Sequence, residues 1–148
     1  MKKGDFGLKM RILVLGISGM LGGQVYKTFK AETDFEVIGF SRSRPSISTK
    51  RHVRFDENDV FDLDILGDDH LAQLLETVRP NVTINCIGLT KQVPNANNPM
   101  LAIKLNALLP HRLSKISKKL GSKLIHISTD CVFDGDCGGY SETDQPNA

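Results

Sequence analysis

The 148-residue sequence lacks the features that mark several classes of protein. It has no tryptophan and 6% aromatic residues, and no apolar run approaches the roughly 20 residues that a membrane-spanning helix needs. Its three cysteines form no C-x-x-C pair, so the pattern favours neither a disulfide framework nor a metal site. Nineteen basic and seventeen acidic residues leave a net charge of +2, which indicates neither nucleic acid nor a membrane surface as a partner. We expect a cytoplasmic protein.

The sequence contains short apolar runs that alternate with helically spaced segments. Its length, with 40% hydrophobic and 24% charged residues, suits one folded domain. Uninterrupted apolar runs are typical of strands buried on both faces, and strands that alternate with helices form parallel sheets. The sequence therefore predicts a single α/β domain with a doubly wound parallel sheet over residues 10–148, after a polar extension over residues 1–9. The predicted strands cover residues 11–15, 36–40, 52–55 (the weakest), 82–87 and 123–127.

Three segments have the spacing of amphipathic helices. They cover residues 20–30, residues 71–78, and a longer stretch from Pro99 to Gly121. We expect a kink or break at Pro110, because a proline inside a helix removes a backbone hydrogen bond. Basic residues near the end of the third segment indicate a solvated face, favoured by the helix dipole. These are His111, Arg112, Lys115, Lys118 and Lys119.

A glycine-rich turn joins the first predicted strand to the first predicted helix. Gly16, Gly19 and Gly22 have the spacing G-x-x-G-x-x-G. Side chains at such positions would block the approach of backbone N–H groups to a pyrophosphate, and the helix N-terminus favours an anion. In this context the pattern predicts dinucleotide binding rather than a purely structural turn. A mononucleotide P-loop is disfavoured because no Gly-Lys-Ser/Thr follows.

The residues after the second predicted strand favour NADP(H) over NAD(H). An acidic residue there would bind a ribose 2′-hydroxyl, whereas an arginine accommodates a 2′-phosphate. The strand is followed by Ser41, Arg42, Ser43 and Arg44, and Glu36 lies at the wrong end of it. The alternative is that the two arginines are solvated loop charges.

Two further motifs point to a family. Residues 85–88 (Asn-Cys-Ile-Gly) close the fourth predicted strand, and residues 128–135 (Ser-Thr-Asp-Cys-Val-Phe-Asp-Gly) follow the fifth. With the glycine turn, they resemble the extended short-chain dehydrogenase/reductase family, and within it the dTDP-4-dehydrorhamnose reductase branch. Members of that branch reduce 4-keto sugars carried on nucleotide diphosphates. The resemblance implies a Rossmann fold and covers nearly the whole chain from Met10. Cys131 departs from it, because the branch commonly has tyrosine there.

The resemblance implies roles for the matching positions. Thr129 would be the catalytic hydroxyl that polarises the substrate carbonyl, and Asn106 would support the site. Asp62 and Leu63 would lie beside adenine. The remaining cofactor-binding positions would be Gly16, Ser18, Gly19, Met20, Leu21 and Gly22 at the pyrophosphate, Ser41 and Arg42 at the adenosine phosphate, and Cys86, Ile87 and Gly88 under the ribose and nicotinamide.

The family's proton donor, a tyrosine followed four residues later by lysine, is missing from the expected region after the fifth predicted strand. Tyr26 and Lys30 have that spacing but lie on the helix after the glycine turn, which serves phosphate instead. We therefore expect the cofactor-binding part of an enzyme, incomplete after the fifth strand and inactive alone. For the isolated chain we expect self-association, as a homo-oligomer, or fraying from Cys131 onward.

Three functions fit this interpretation. The first is an NADP(H)-dependent oxidoreductase that acts on a nucleotide-linked 4-keto sugar. The second is a non-catalytic dinucleotide-binding or regulatory subunit, and the third is a sugar-nucleotide epimerase or dehydratase of the same family. Lys91 and Gln92 follow the fourth predicted strand, where contact with the nucleotide-sugar substrate is as plausible as solvent exposure.

Overall fold

The computed structural model describes residues 9–43, 56–67, 69–90, 97–129 and 131–147. Within these ranges, four strands form one parallel sheet in the order β2-β1-β3-β4. The predicted strand at 52–55 and the loop positions Arg44, Lys91 and Gln92 lie outside the described residues. The strands are β1 (Met10–Leu15), β2 (Phe35–Phe40), β3 (Val82–Asn85) and β4 (Lys123–His126), and the helices are α1 (Met20–Ala31), α2 (His70–Val78), α3 (Pro99–Ala102) and α4 (Leu109–Leu120).

Successive residues of β1 point to opposite faces of the sheet, and each face carries its own apolar core. On one face, Ile12 and Val14 belong to a buried cluster with Tyr26 of α1. On the other face, Leu13 and Leu15 belong to a cluster with residues of α2 and α4, namely Leu71, Leu74, Leu75, Val78, Leu109 and Leu113. Helices therefore cover both faces, and the predicted doubly wound α/β fold is confirmed.

The register of the sheet brings the carboxyl ends of its strands to one edge. Leu15 pairs with Phe40 of β2 on one side and with Asn85 of β3 on the other, and Asn85 pairs with His126 of β4. The loops that follow these residues therefore start side by side. In open parallel sheets this edge is where ligands bind, beside the crevice at which the strand order reverses. Here the strand order reverses between β1 and β3, because β2 lies on one side of β1 and the later strands lie on the other.

At the position of the expected kink or break, Pro110, the structure shows a change of helix type within a stretch that is helical from Pro99 to Leu120. A π-helical segment, Ile103–Leu108, separates α3 from α4, and Pro110 lies in the first turn of α4. The N–H of Leu109 donates to the carbonyl of Lys104, five residues earlier. Pro110 has no N–H to donate, and it directly follows this wider turn, where the ordinary α-helical hydrogen-bond pattern is interrupted. No helix in the described ranges is both long and apolar enough to cross a membrane.

At the end of the sheet, β4 pairs with β3, and in the described ranges its other edge carries no strand. Ile125 and Ile127 are 44% and 41% exposed there. The loop over residues 131–147 is held together by Asp134, whose carboxylate accepts hydrogen bonds from the Tyr140 hydroxyl at 2.6 Å and the Asn147 amide at 2.8 Å. The predicted loop therefore has internal order.

Candidate functional site

The turn between β1 and α1 is fixed by backbone hydrogen bonds to the neighbouring strand. The N–H groups of Gly16 and Ile17 both donate to the carbonyl of Phe40, at 2.8 and 3.1 Å. Gly16 has a φ of +90°, a conformation that residues with a side chain rarely adopt. Gly19 then caps α1 without any side chain. The first N–H groups of the helix have no intrahelical partner and point out of its N-terminus, where an anion would accept their hydrogen bonds.

The third glycine of the turn allows α1 to pack directly against the turn. A Cβ on Gly22 would lie 2.2 Å from the carbonyl oxygen of Gly16 and 3.3 Å from the Cβ of Cys86. A Cβ on Gly16 would lie 3.1 Å from Ile87 Cγ1. Glycine is therefore required by close backbone approach, and the residues of the turn fit the pyrophosphate of a dinucleotide.

A cavity of about 800 Å³ opens in front of this turn. It is bounded by the glycine turn, the loop after β2, the segment over residues 63–66, the loop after β3, and α3 with the π-helical segment. Its walls include most of the predicted cofactor-binding residues, namely Gly16, Ser18, Gly19, Ser41, Arg42, Leu63, Cys86, Ile87 and Gly88. The structure therefore brings these predicted positions together in one place.

Other predicted positions do not line the cavity. The side chains of Met20 and Leu21 are exposed, at 79% and 46%, so any contact with phosphate would involve their backbone N–H groups. Gly22 lies behind the turn, where it permits the helix to pack. Asp62 precedes the wall residue Leu63 and has a φ of +59°, which turns the chain sharply at that point.

The wall beside β2 is joined to the strand by a short ladder. The N–H of Val60 donates to the carbonyl of Gly39, and the N–H of Ser41 donates to the carbonyl of Val60. The buried Ser41 and the exposed Arg42 therefore lie next to the segment over residues 60–66. Glu36 lies at the opposite end of β2, where it pairs with Arg11 at 2.9 Å, so no described carboxylate of β2 faces the cavity.

The floor beside β3 depends on a buried asparagine. The Asn85 side-chain oxygen accepts a hydrogen bond from the N–H of Ile87 at 3.1 Å, and its amide nitrogen lies 3.0 Å from Nδ1 of His126 on β4. This side chain fixes the turn that carries Cys86 and Ile87 into the cavity wall. Burial raises the pKa of the Cys86 thiol, which keeps the sulfur neutral beside the glycine turn.

Asn106 supports the next part of that loop. Its side-chain oxygen accepts a hydrogen bond from the N–H of Leu89 at 2.7 Å, and its amide donates to the carbonyl of Leu89 at 3.0 Å. Both groups of one backbone residue are thereby satisfied by one side chain. Asn106 lies in the π-helical segment, a helix type often found at functional sites. Asn106 does not line the cavity, but it holds Leu89, which does.

Thr129, the predicted catalytic residue, follows β4 and does not line the cavity. Its Oγ1 accepts a hydrogen bond from the N–H of Cys131 at 3.1 Å, and the residue is exposed. Because β4 ends at the same edge as β1 and β3, Thr129 lies three residues beyond a strand end on the ligand-binding side of the sheet.

Tyr26 and Lys30 lie away from the cavity. Tyr26 is 1% exposed, and its hydroxyl donates to Asp59 at 2.8 Å. Burial and the neighbouring carboxylate raise the pKa of Tyr26, which opposes proton transfer near neutral pH. Lys30 pairs with Asp56 at 2.9 Å and donates to the carbonyl of Val37. This pair fastens α1 to β2 and to the segment around Asp59.

Sequence reasoning missed several residues that shape the cavity. The signal for Asn85 was a polar residue inside an apolar run. Arg112 was expected on a solvated face, but its guanidinium donates to two backbone carbonyls of the segment that forms one cavity wall, which corrects that expectation. Leu89, Leu101 and Leu105 also line the cavity, and their sequence pattern does not distinguish them from ordinary core leucines.

Comparison with known proteins agrees with this geometry. A crystal structure of a hypothetical dTDP-4-dehydrorhamnose reductase from Sulfolobus tokodaii matches with a TM-score of 0.71 and 29% identity, over 93% of this chain and 46% of that one. The dTDP-4-dehydrorhamnose reductase of Bacillus anthracis, solved in complex with NADP, matches with a TM-score of 0.70 and 26% identity, over 96% and 44% of the two chains. The predicted resemblance to these reductases is confirmed.

Curated relatives add a second type of protein. The methionine adenosyltransferase 2 subunit beta of Xenopus laevis is 33% identical over 139 residues, which is 93% of this chain and 37% of that protein. The chain thus spans less than half the length of the proteins named here. The family model described as RmlD substrate binding domain matches residues 10–148, so the chain belongs to the RmlD substrate binding domain family.

Proposed function

We propose that residues 10–148 form the NADP(H)-binding domain of a cytoplasmic reductase that acts on a nucleotide-linked 4-keto sugar. The observation that carries the proposal is the glycine turn, where Gly16 and Gly19 expose backbone directly to the 800 Å³ cavity. The NADP complex of the Bacillus anthracis relative supports a nicotinamide dinucleotide as the ligand. Arg42, with no described carboxylate of β2 beside it, favours NADP(H) over NAD(H).

Each wall of the cavity has a role in this proposal. The backbone N–H groups of residues 20–22 bind the pyrophosphate, because the N–H of Gly19 already donates to the Gly16 carbonyl. Arg42 with Ser41 binds the 2′-phosphate of the adenosine. Leu63 would contact the adenine, with Asp62 beside it. Cys86, Ile87 and Gly88 would support the nicotinamide and its ribose, and Asn106 holds their loop in place through Leu89.

The bound nicotinamide supplies the hydride for such a reduction. The part of this chain in the chemistry is to orient the ring and to exclude water from the side formed by Cys86 and Ile87. Thr129 donates a hydrogen bond to the substrate carbonyl oxygen, which stabilises the negative charge that develops on that oxygen. The Thr129 oxygen can keep accepting the hydrogen bond from the N–H of Cys131 while its hydroxyl hydrogen is donated to the substrate, because a hydroxyl both donates and accepts. Otherwise the bond from Cys131 must break.

The cofactor proposal is tested by calorimetric titration with NADPH and NADH. We expect tighter binding of NADPH, and we expect Arg42→Ala to raise its Kd about tenfold while the Kd for NADH is unchanged. A charge-assisted hydrogen bond contributes about 1.5–3 kcal/mol, and the exposure of Arg42 reduces this to about 1.4 kcal/mol, which is one factor of ten. Lys118→Ala, which removes an exposed charge from the last turn of α4, is the matched control. Equal affinity of the wild-type protein for both dinucleotides would contradict the preference, and no binding of either would contradict the whole proposal.

A second candidate is a dinucleotide-binding regulatory subunit. The similarity to methionine adenosyltransferase 2 subunit beta favours it, because that relative is named as the subunit of an enzyme. A sugar-nucleotide epimerase or dehydratase is the third candidate. Incubation of the complete protein with NADPH and a nucleotide-linked 4-keto sugar separates them. Oxidation of NADPH supports the reductase, and conversion of the sugar without oxidation of NADPH supports the epimerase or dehydratase. Binding of NADPH without conversion of the sugar supports the regulatory subunit.

The edge of β4 supports the proposal that the isolated chain forms a homo-oligomer. Ile125 and Ile127 present apolar surface there, and no strand of the described ranges pairs with the outer edge of β4, which makes that edge a template for pairing with another chain. Light scattering over a range of protein concentrations tests this, and a concentration-independent monomer mass would contradict it.

A further inference from the structure

Arg112 connects α4 to the segment over residues 63–67. Its Nη1 donates to the carbonyl of Leu66 at 3.0 Å, and its Nη2 donates to the carbonyl of Gly67 at 2.7 Å. The side chain is partly buried, so these two bonds are only partly screened by water. The planar guanidinium donates both bonds in a fixed geometry, which holds two successive carbonyls at once.

The segment that Arg112 holds is a wall of the proposed cofactor cavity. Leu63, Asp64, Ile65 and Leu66 all line that cavity, and the wall runs beside the end of β2, where Ser41 and Arg42 lie. It is therefore the wall on the adenosine side. One residue, Leu66, is both part of the wall and an acceptor for Arg112.

Among the described residues, the other hydrogen bonds of this segment are local. The Asp64 side chain accepts from the N–H of Leu66 at 3.0 Å, the Asp64 carbonyl accepts from the N–H of Gly67 at 3.2 Å, and Nδ1 of His70 lies 2.9 Å from the same carbonyl. These contacts set the shape of the turn. None of these hydrogen bonds reaches α4. The segment is joined to that helix by Arg112 and by the buried side chain of Ile65, which lies in one apolar cluster with Leu109 and Leu113.

We propose that Arg112 is a positioning residue for the adenosine half of the cofactor, because its fork on Leu66 and Gly67 fixes the adenosine-side wall to α4. This inference rests on the proposed function and extends it to a residue 46 positions away in the sequence from its acceptor. Arg112 does not touch the ligand. It raises affinity by keeping the wall in the arrangement that accepts an adenosine, so that binding does not have to order it.

The test uses adenosine 2′,5′-bisphosphate, the adenosine half of NADPH, as the calorimetric probe with the complete protein. We expect Arg112→Gln to raise the Kd of this probe about tenfold. This corresponds to a fall to roughly a tenth in the fraction of molecules whose wall has the binding-competent arrangement. Arg112→Lys, which keeps the charge but not the fork, should lie between the wild type and Arg112→Gln. Lys115→Gln removes an exposed charge from the same helix and should leave the Kd unchanged.

Hydrogen exchange provides a second readout, and its wild-type measurement does not depend on a folded variant. In the wild-type protein, the probe should slow amide exchange across residues 63–67, and in Arg112→Gln the same amides should exchange faster without ligand. An unchanged Kd in the folded Arg112 variants, even with a lowered melting temperature, would show a purely structural role and overturn the inference. The inference would also be overturned if the probe did not change the amide exchange rates of residues 63–67 in the wild-type protein. Failure of the wild-type protein to bind NADPH at all would instead overturn the proposed function.

Discussion

Replacing Gly22 by alanine perturbs the close approach on which the proposed pyrophosphate site depends. The new Cβ would lie 2.2 Å from the Gly16 carbonyl oxygen and 2.7 Å from the carbonyl carbon, whereas ordinary contact begins near 3.4 Å. Both clashing atoms belong to the backbone, so no side-chain rotation relieves the overlap. The first turn of α1 must therefore retreat by about 1 Å from the glycine turn.

Two opposing terms decide the effect of Gly22→Ala on stability. Alanine in place of glycine favours the helix by about 1 kcal/mol, while overpacking of this kind costs about 1–3 kcal/mol. We expect the free energy of unfolding to fall by about 1 kcal/mol. Binding should suffer more, because the N–H groups of residues 20–22 move together away from the phosphate oxygens. We expect the Kd for NADPH to rise at least tenfold, which is about 1.4 kcal/mol.

Thermal unfolding and calorimetric titration measure the two effects of Gly22→Ala separately. Gln24→Ala is the matched control, because Gln24 lies on the exposed side of the same helix and its side-chain amide donates to the Thr28 hydroxyl at 3.4 Å, away from the glycine turn. The control should bind NADPH as the wild type does. If Gly22→Ala is folded and binds NADPH with wild-type affinity, the reasoning from the glycine turn is refuted.

Two further predictions concern hydroxyl–carboxylate pairs. Tyr26→Phe removes the buried bond to Asp59 and should lower the free energy of unfolding by about 1–2 kcal/mol, since Asp59 keeps its bonds from the N–H groups of Gly39 and Asp56. Calorimetric melting should show a larger decrease than for Tyr140→Phe, and an equal decrease would contradict the burial argument. Hydrogen bonding from Tyr140 holds the pKa of Asp134 below its ordinary value of 3.8, so the stability that this carboxylate gives the loop is present above pH 3.8 and is lost as the pH falls through the lowered pKa. An NMR titration of the Asp134 carboxyl with its midpoint at or above 3.8 would disprove this.

The strands and helices were predictable because their signals are local. Each described strand was predicted to within two residues, since a run of apolar residues that ends at a glycine or a polar residue indicates a strand without reference to the rest of the chain. The expected burial on both faces fails for β4, three of whose four residues are exposed. A disturbance of the helix near Pro110 was also predictable from a local signal, because proline lacks an N–H in any fold. What the pattern did not contain was its form, a π-helical segment that carries Asn106.

The site was predictable where one residue type is required by one short turn. Gly16, Gly19 and Gly22 follow from the spacing, and the cavity lies in front of them. Arg112 was misassigned because a basic residue near a helix end has the same local pattern whether it meets water or a backbone carbonyl. Its acceptors are distant in the sequence, and nothing near residue 112 identifies them.

The sequence by itself determined the alternation of strands and helices and the glycine-rich turn after β1, since both depend on interactions within a few residues. Only the tertiary structure decided that β1 lies between β2 and β3, and therefore that Arg42, Leu63 and Ile87 line one cavity. It also decided which side chains hold the walls of that cavity, Asn85, Asn106 and Arg112. The physical reason is that these contacts join segments that are brought together by the register of the sheet and the packing of α4, and each is specified by all the elements it connects.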